Sequence, residues 1–327
     1  MIVGRIKGNI GIALMAGAVI ATASACGGDA SASASAANSS SSAANGSAHP
    51  SPTRPSGPPM LLNTIAPEPG ATVGVAMPIS VVFTNPVDSS ARAEIERHLK
   101  VSTSVPLTGA WHWFSSTRVD WRPEKYWQPG TKVTLTAELD GVSDGNGRYG
   151  VHNYTHTFTI GADTETTVSV SGHVMKVYRN GALVRTMPID AGSPSFPSWD
   201  GTMAVIDKQP KVRMTSCSVG ISCDKSSPNF YDLTLPWDVQ LTTSGTYVHY
   251  STGDPQPGHS YGSHGCVHLS MSDAQWFYNY VEQGDPITIT GSPRGDAAGD
   301  NGYAAFNLTW SQWLADSATG AQTTSTS

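Results

Sequence analysis

Five residues capable of proton or metal chemistry, His249, His259, His264, Cys266 and His268, fall within twenty positions of one another. Gly, Ser, Pro and Asp fill the space between them, so the segment reads as a long loop entered from a strand. Long loops inside compact domains usually carry function. A cysteine among histidines and glycine suits acyl transfer through a thiol. That chemistry needs a thiol deprotonated in place, an oriented base and preorganised donors for the developing oxyanion. Ser263-His264-Gly265-Cys266 can supply the donors. Gly265 tolerates positive φ and the close approach of a carbonyl, and the successive amides of His264, Gly265 and Cys266 can form an anion-binding nest. One such donor contributes roughly 3–4 kcal/mol of transition-state stabilisation.

Two plainer readings compete. Zinc could take His249, His264, Cys266 and His268, but a Cys-x-His step resembles no common zinc site, and no metal is expected. Cys266 could also be a buried inert thiol, as most free cysteines are, yet the flanking histidines and glycine argue for reactivity. His259, amid Pro257, Gly258 and Ser260, reads as exposed loop. His152, His156 and His173 fall on apparent strands and are expected to face solvent or a core edge.

The other cysteines divide by context. Ala23-Ser24-Ala25-Cys26 follows a short positive region at Arg5 and Lys7 and an apolar run from Ile10 to Ala21, too short to span a bilayer comfortably. Small residues before a cysteine resemble a bacterial lipobox, although Ala23 stands where Leu is usual. Cys26 is therefore expected to carry lipid and anchor the chain on the outer face of the cytoplasmic membrane. The alternative is plain secretion with cleavage near the same point. Cys217 and Cys223 lie six positions apart in a polar segment of an exported chain and are expected to pair as a staple of a lid loop. Their spacing is not that of a Cys-x-x-Cys redox pair. Cys266 is then left as a free thiol in an oxidising compartment.

Composition narrows the classes further. Of 327 residues only 13% are charged, and the formal net charge is −6, so there is no basic field to hold nucleic acid. Neither a phosphate-cradling Gly-Lys loop nor a dinucleotide fingerprint occurs, and no cofactor is expected.

The elements that must position the cluster are strands and turns. Residues 1–26 read as an export signal and 27–59 as a Ser/Ala/Pro tether that cannot bury enough apolar surface to fold. From 60 to 162, Ile79, Val81 and Phe83 alternate with Ser80 and Val82, and Val133 to Leu139 alternates likewise. Asp144-Gly145-Asn146-Gly147 turns the chain into a strand near Tyr154–Ile160, and a short helix is expected near Glu94–Leu99. Trp111, Trp113, Trp121 and Trp127 supply large core pieces, which suggests an immunoglobulin-type sandwich. An aromatic carbohydrate-binding face is the alternative. A second domain, 163–291, starts with alternation over Val168–Val177, a hairpin at Asn180-Gly181 and a return over Leu183–Ile189. Further strands are expected at Met203–Ile206, Val239–Thr243, Thr246–Tyr250 and Pro286–Thr290. A helix is predicted over Asp273–Glu282, capped by Ser272 with Gln275 and ended by Gly284. Residues 292–327 carry Trp310 and Trp313, expected to pack on the second domain.

Ser263-His264-Gly265-Cys266-Val267, with His249 seventeen residues ahead of the cysteine, resembles the active-site signature of the YkuD-type L,D-transpeptidases. Tyr231 and Trp237, the Ser-Gly-x-Tyr-Val-His run at 244–249, Gly109-Ala110-Trp111-His112-Trp113 and the Trp-rich tail resemble the actinobacterial lipoprotein branch of that family. The likeness spans about 60–315. It implies a mainly β chain in which an immunoglobulin-like β-sandwich precedes a β-rich catalytic domain with one short helix, followed by a Trp-rich C-terminal subdomain.

The resemblance also implies roles. Cys266 attacks a stem-peptide carbonyl, His249 holds its proton, and the main-chain carbonyl of Tyr250 orients the imidazole. The amides of His264, Gly265 and Cys266 receive the oxyanion, and Ser263 fixes the loop. Tyr231 and Met214 line the donor channel. His268 stands where the family usually has Asn or Arg and adds a titratable group. The implied reaction cross-links peptidoglycan tetrapeptide stems, with D-Ala as leaving group and carbapenem β-lactams as covalent inhibitors. An L,D-carboxypeptidase with water as acceptor, or a wall-binding lipoprotein without catalysis, are the alternatives.

Overall fold

The computed structural model describes residues 55–326. The expected export signal, Cys26 and most of the tether lie outside the described residues.

The first domain is a sandwich of two five-stranded sheets. One holds, in order, Leu62–Ala66, Ile79–Phe83, Arg118–Pro123, Thr108–Trp113 and Gln322–Thr323. The other holds Ser325–Thr326, Leu99–Thr103, Lys132–Ala137, Tyr154–Ile160 and Thr72–Val73. Period-two alternation sends Ile79, Val81 and Phe83 inward, where they meet Trp121, Trp127, Val133, Leu135 and Phe158 in one core. All four tryptophans of the first domain are buried there, which removes the aromatic carbohydrate face.

The second domain also has two sheets at its centre. Ala182–Pro188, Val174–Arg179, Thr164–Ser169, Pro286–Thr290 and Gly201–Ala204 form one. Asp207–Thr215, Asp232–Gln240, Tyr247–Tyr250 and Val267–Leu269 form the other. The expected continuous strand over Val168–Val177 is broken by a turn at which His173 takes φ 50°; a side-chain staple from Ser169 Oγ to the Gly172 amide at 3.1 Å closes that turn. The predicted helix spans Met271–Tyr280, two residues early, because Ser270 and not Ser272 caps it, accepting from the Asp273 amide at 3.2 Å. Its Ala274 and Phe277 pack into the core with Val248, Val267 and Leu269.

The C-terminal segment departs from expectation. The helix Trp310–Ala315, closed by a Thr309/Gln312 capping box, packs on the first domain and not on the second. Trp313 is buried, donates from Nε1 to Ala110 O at 3.0 Å and stacks on the His112 ring at 4.5 Å. Arg122, also buried, lies within 4.5–5.3 Å of the Phe306, Trp310 and Trp313 ring centres and donates to Leu308 O. The buried Glu96 carboxylate accepts from Trp113 Nε1, Ala318 N and Thr319 N, each at 2.8 Å. The last residues then add one short strand to each sandwich sheet. The two domains also meet through main chain: the Gly74 amide donates to Gln283 O at 2.7 Å and that of Ala76 to Gly284 O at 3.0 Å.

Candidate active site

Strand pairing decides which side chains share a face. Val248 pairs with Val267 and His249 with His268 in parallel register, so Val248 and Val267 point into the core while His249 and His268 face the other way. Cys266, one residue before Val267, falls on the same side as His268. These residues, with Tyr247, line one cavity of about 770 Å³. No such pairing can be read from spacing alone, since the strands are joined through the 251–266 loop.

His249 is buried, and its Nδ1 donates to Tyr250 O at 2.8 Å, which leaves Nε2 as the proton acceptor. Burial lowers its pKa to about 3; the neighbouring His268 adds to the fall and the Tyr250 hydrogen bond opposes it. Burial pushes the Cys266 thiol up to about 12, with the Tyr247 amide opposing the rise and the Asp238 carboxylate adding to it. The sulfur lies 3.7 Å from Gly245 O. Both groups are therefore neutral at rest, a thiol and an imidazole.

The loop ahead of the thiol is braced by its serine. Ser263 Oγ donates to Cys266 O at 2.6 Å and accepts from the Gly265 amide at 3.1 Å. Gly265 takes φ 119°, a conformation that L side chains rarely adopt. The His264 ring sits between Phe196 and Tyr231, at 4.7 and 5.1 Å between centres. Tyr231 is near enough to the sulfur that burial and the Cys266 charge together raise its hydroxyl to about 12.

A long hairpin forms one wall of the cavity. The antiparallel strands Asp207–Thr215 and Asp232–Gln240 form this hairpin, whose tip carries the Cys217–Cys223 disulfide. Met214, Val219, Ile221 and Tyr231 of this hairpin line the cavity. Ser216 ties the two sides of the tip together: its amide donates to Tyr231 O at 3.0 Å, and its hydroxyl accepts from the Tyr231 amide at 3.1 Å.

Sequence reading missed the acids behind His268. Its Nδ1 lies 3.0 Å from Asp254 Oδ2, and its ring is inclined at 72° to that of His249 with centres 5.0 Å apart. Burial raises Asp254, and the charge of Asp190 raises it further. Asp190 is held below its usual range despite burial, by hydrogen bonds from Ser260, Gly258 and His259. His268, which stands where the family usually has Asn or Arg, is thus the inner end of a polar row. Asp238 was missed too. It follows Trp237, which takes φ 63°, and it is buried. Burial lifts Asp238 to about 7. His259 is an exposed loop residue whose amide serves Asp190, and among the described residues no group of histidines, cysteines and acids is arranged to hold a metal ion.

Comparison with known proteins agrees with this arrangement. The family described as L,D-transpeptidase catalytic domain matches residues 163–289, and that described as bacterial Ig domain matches 30–143. L,D-transpeptidase 1 of Mycobacterium tuberculosis is 36% identical over 229 residues, covering 70% of this chain and 84% of the relative. L,D-transpeptidase 2 of the same species is 34% identical over 257 residues, covering 78% of this chain but only 62% of the relative's length. Among solved structures, an L,D-transpeptidase in complex with imipenem superposes with a TM-score of 0.60 at 35% identity, covering 71% of this chain and 99% of that one. L,D-transpeptidase 3 from M. tuberculosis in complex with a faropenem-derived adduct gives a TM-score of 0.58 at 30% identity, covering 70% and 98%. An immunoglobulin-like sandwich joined to a thiol- and imidazole-lined cavity, with relatives alike over most of the chain, places this protein in the L,D-transpeptidase family.

Proposed function

We propose that this enzyme forms 3→3 cross-links in peptidoglycan through a thioester on Cys266. The observation that carries the reading is the placement of a free thiol and an imidazole, its Nδ1 fixed by Tyr250 O at 2.8 Å, on one face of paired strands lining one cavity.

As the Cys266 sulfur attacks the carbonyl between the third residue of a tetrapeptide stem and its terminal D-Ala, its proton passes to His249 Nε2. The amides of His264 and Cys266 receive the oxyanion. That of Gly265 already serves Ser263. The carbon–nitrogen bond breaks, and D-Ala leaves with the proton from His249. A side-chain amine of a second stem then attacks the thioester, loses its proton to His249, and sulfur recovers it. The balance is one amide bond exchanged for another. Tyr231 and Met214 line the donor side of the cavity, and His268 steadies the imidazole from behind. A related enzyme bound to imipenem and another carrying a faropenem-derived adduct support carbapenems as covalent inhibitors of this thiol. Export, a lipid on Cys26 and a position on the outer face of the cytoplasmic membrane complete the proposal.

The test is incubation of the purified protein with disaccharide tetrapeptides and separation of the products. Dimers linked between third residues are expected. Trimmed tripeptides alone would make the enzyme an L,D-carboxypeptidase, and unchanged substrate would leave a wall-binding protein.

A further inference from the structure

The cavity's charged lining is sparse: Arg213, Arg294 and Asp254. Arg213 is committed, donating to both carboxylate oxygens of Asp232 at 2.8 and 2.7 Å. Arg294 differs. It makes no ion pair among the described residues, yet its position is set. Its guanidinium lies 3.7 Å from the centre of the Trp199 ring, and Nη1 donates to Pro197 O at 3.2 Å. Stacking on indole holds the planar group while leaving its edge available, and one bond uses one of five donors.

Its place relative to the nucleophile is also fixed. A Cβ built on Gly265 would lie 3.8 Å from Arg294 Nη1 and 3.9 Å from the carbonyl oxygens of Phe196 and Pro197. An unpaired, oriented cation therefore borders the residue just before the thiol.

We infer that Arg294 binds the C-terminal carboxylate of the donor stem. The inference rests on the transpeptidase reading and adds to it the group that selects the donor's length. In a tetrapeptide the carboxylate oxygens lie within about 5 Å of the attacked carbon, because only the nitrogen and one Cα intervene. A guanidinium beside Gly265 matches that reach. Each further residue moves the carboxylate about 3.3–3.6 Å outward, so a stem ending in two D-Ala residues loses the contact. The carboxylate departs with D-Ala, so the contact serves donor capture and the first step only.

The experiment measures kcat/KM for D-Ala release from a tetrapeptide stem as free acid and as C-terminal amide, using the full enzyme and its Arg294→Gln and Arg294→Lys variants. The unaltered enzyme is expected to prefer the acid by about tenfold to a hundredfold, the range of a charge-assisted hydrogen-bonded contact. In Arg294→Gln the preference falls to near one while amide turnover is retained, and Arg294→Lys recovers part of it. An acid-to-amide ratio unchanged in Arg294→Gln overturns the inference even if both rates drop, since that pattern belongs to a structural role. Failure of the unaltered enzyme to release D-Ala from either donor overturns the transpeptidase reading and the inference with it.

Discussion

At the scale of single residues, the burial of Cys266 and His249 in one cavity sets what pH can do. With the imidazole lowered to about 3 by burial and the thiol raised to about 12, neither changes charge between pH 5 and 9. The acylation rate by a carbapenem is therefore expected to show no step near pH 6.5 that arises from His249, although an ordinary histidine titrates there. A step there, abolished in His249→Gln, would show an exposed or ion-paired imidazole. His249→Ala should fold and slow acylation by roughly 10²–10⁴, measured by intact mass against time. Asp238 makes a separate prediction. Its folded pKa of about 7 lies above the ordinary 3.8. Between these values the folded protein holds a proton that the unfolded chain has released, so stability falls as pH rises through that window and the loss is complete above it. Asp238→Asn should raise thermal stability at pH 8 by on the order of 1–3 kcal/mol and much less near pH 4; equal shifts at both, read from melting curves, would contradict this.

At the scale of elements, the signature loop and its strands were legible because local rules govern them. Tyr247 and His249 alternate with Val248, and Gly265 marks a backbone turn only glycine takes easily. Ser270 and Ser272 both precede helix formers, so local chemistry left the cap open; it is Ser270 that accepts from the Asp273 amide. Asp190, Asp254 and Asp238 were not legible, since an acid's meaning here depends on partners far away in sequence: Asp190 serves amides 68–70 positions on. The hairpin was expected, as a lid loop, from its two cysteines alone. Removing the bridge with Cys217→Ser and Cys223→Ser should raise KM for the stem severalfold and leave kcat largely intact, because the hairpin positions residues of the cavity wall and not the thiol. Gly265→Ala has room for its methyl, so its cost is conformational, about 1–3 kcal/mol, as the loop is forced from φ 119°. Acylation should fall at least tenfold because the amides facing the substrate move with it; an unchanged rate would show that the nest is not fixed by this residue.

At the scale of the whole molecule, the two domains are bound by a segment that sequence patterning assigned to the wrong partner. Trp310 and Trp313 were recognisable as a packing element, but nothing local says which surface they meet. The small Ala110 lies against the buried Trp313, whose Nε1 donates to its carbonyl at 3.0 Å. The strands Gln322–Thr323 and Ser325–Thr326 left no signal, since two-residue runs of Ser, Thr and Gln have no apolar period. Trp313→Ala should cost about 3–5 kcal/mol and loosen the sandwich more than the cavity, so that amide exchange rises first in Thr108–Trp113 while carbapenem acylation persists at lower temperature. The central claim remains the reactive sulfur. Intact-mass measurement after meropenem treatment should show one adduct per chain, mapped to the peptide holding Cys266 and missing from Cys266→Ala. An unmodified protein, or an adduct that survives Cys266→Ala, would contradict it.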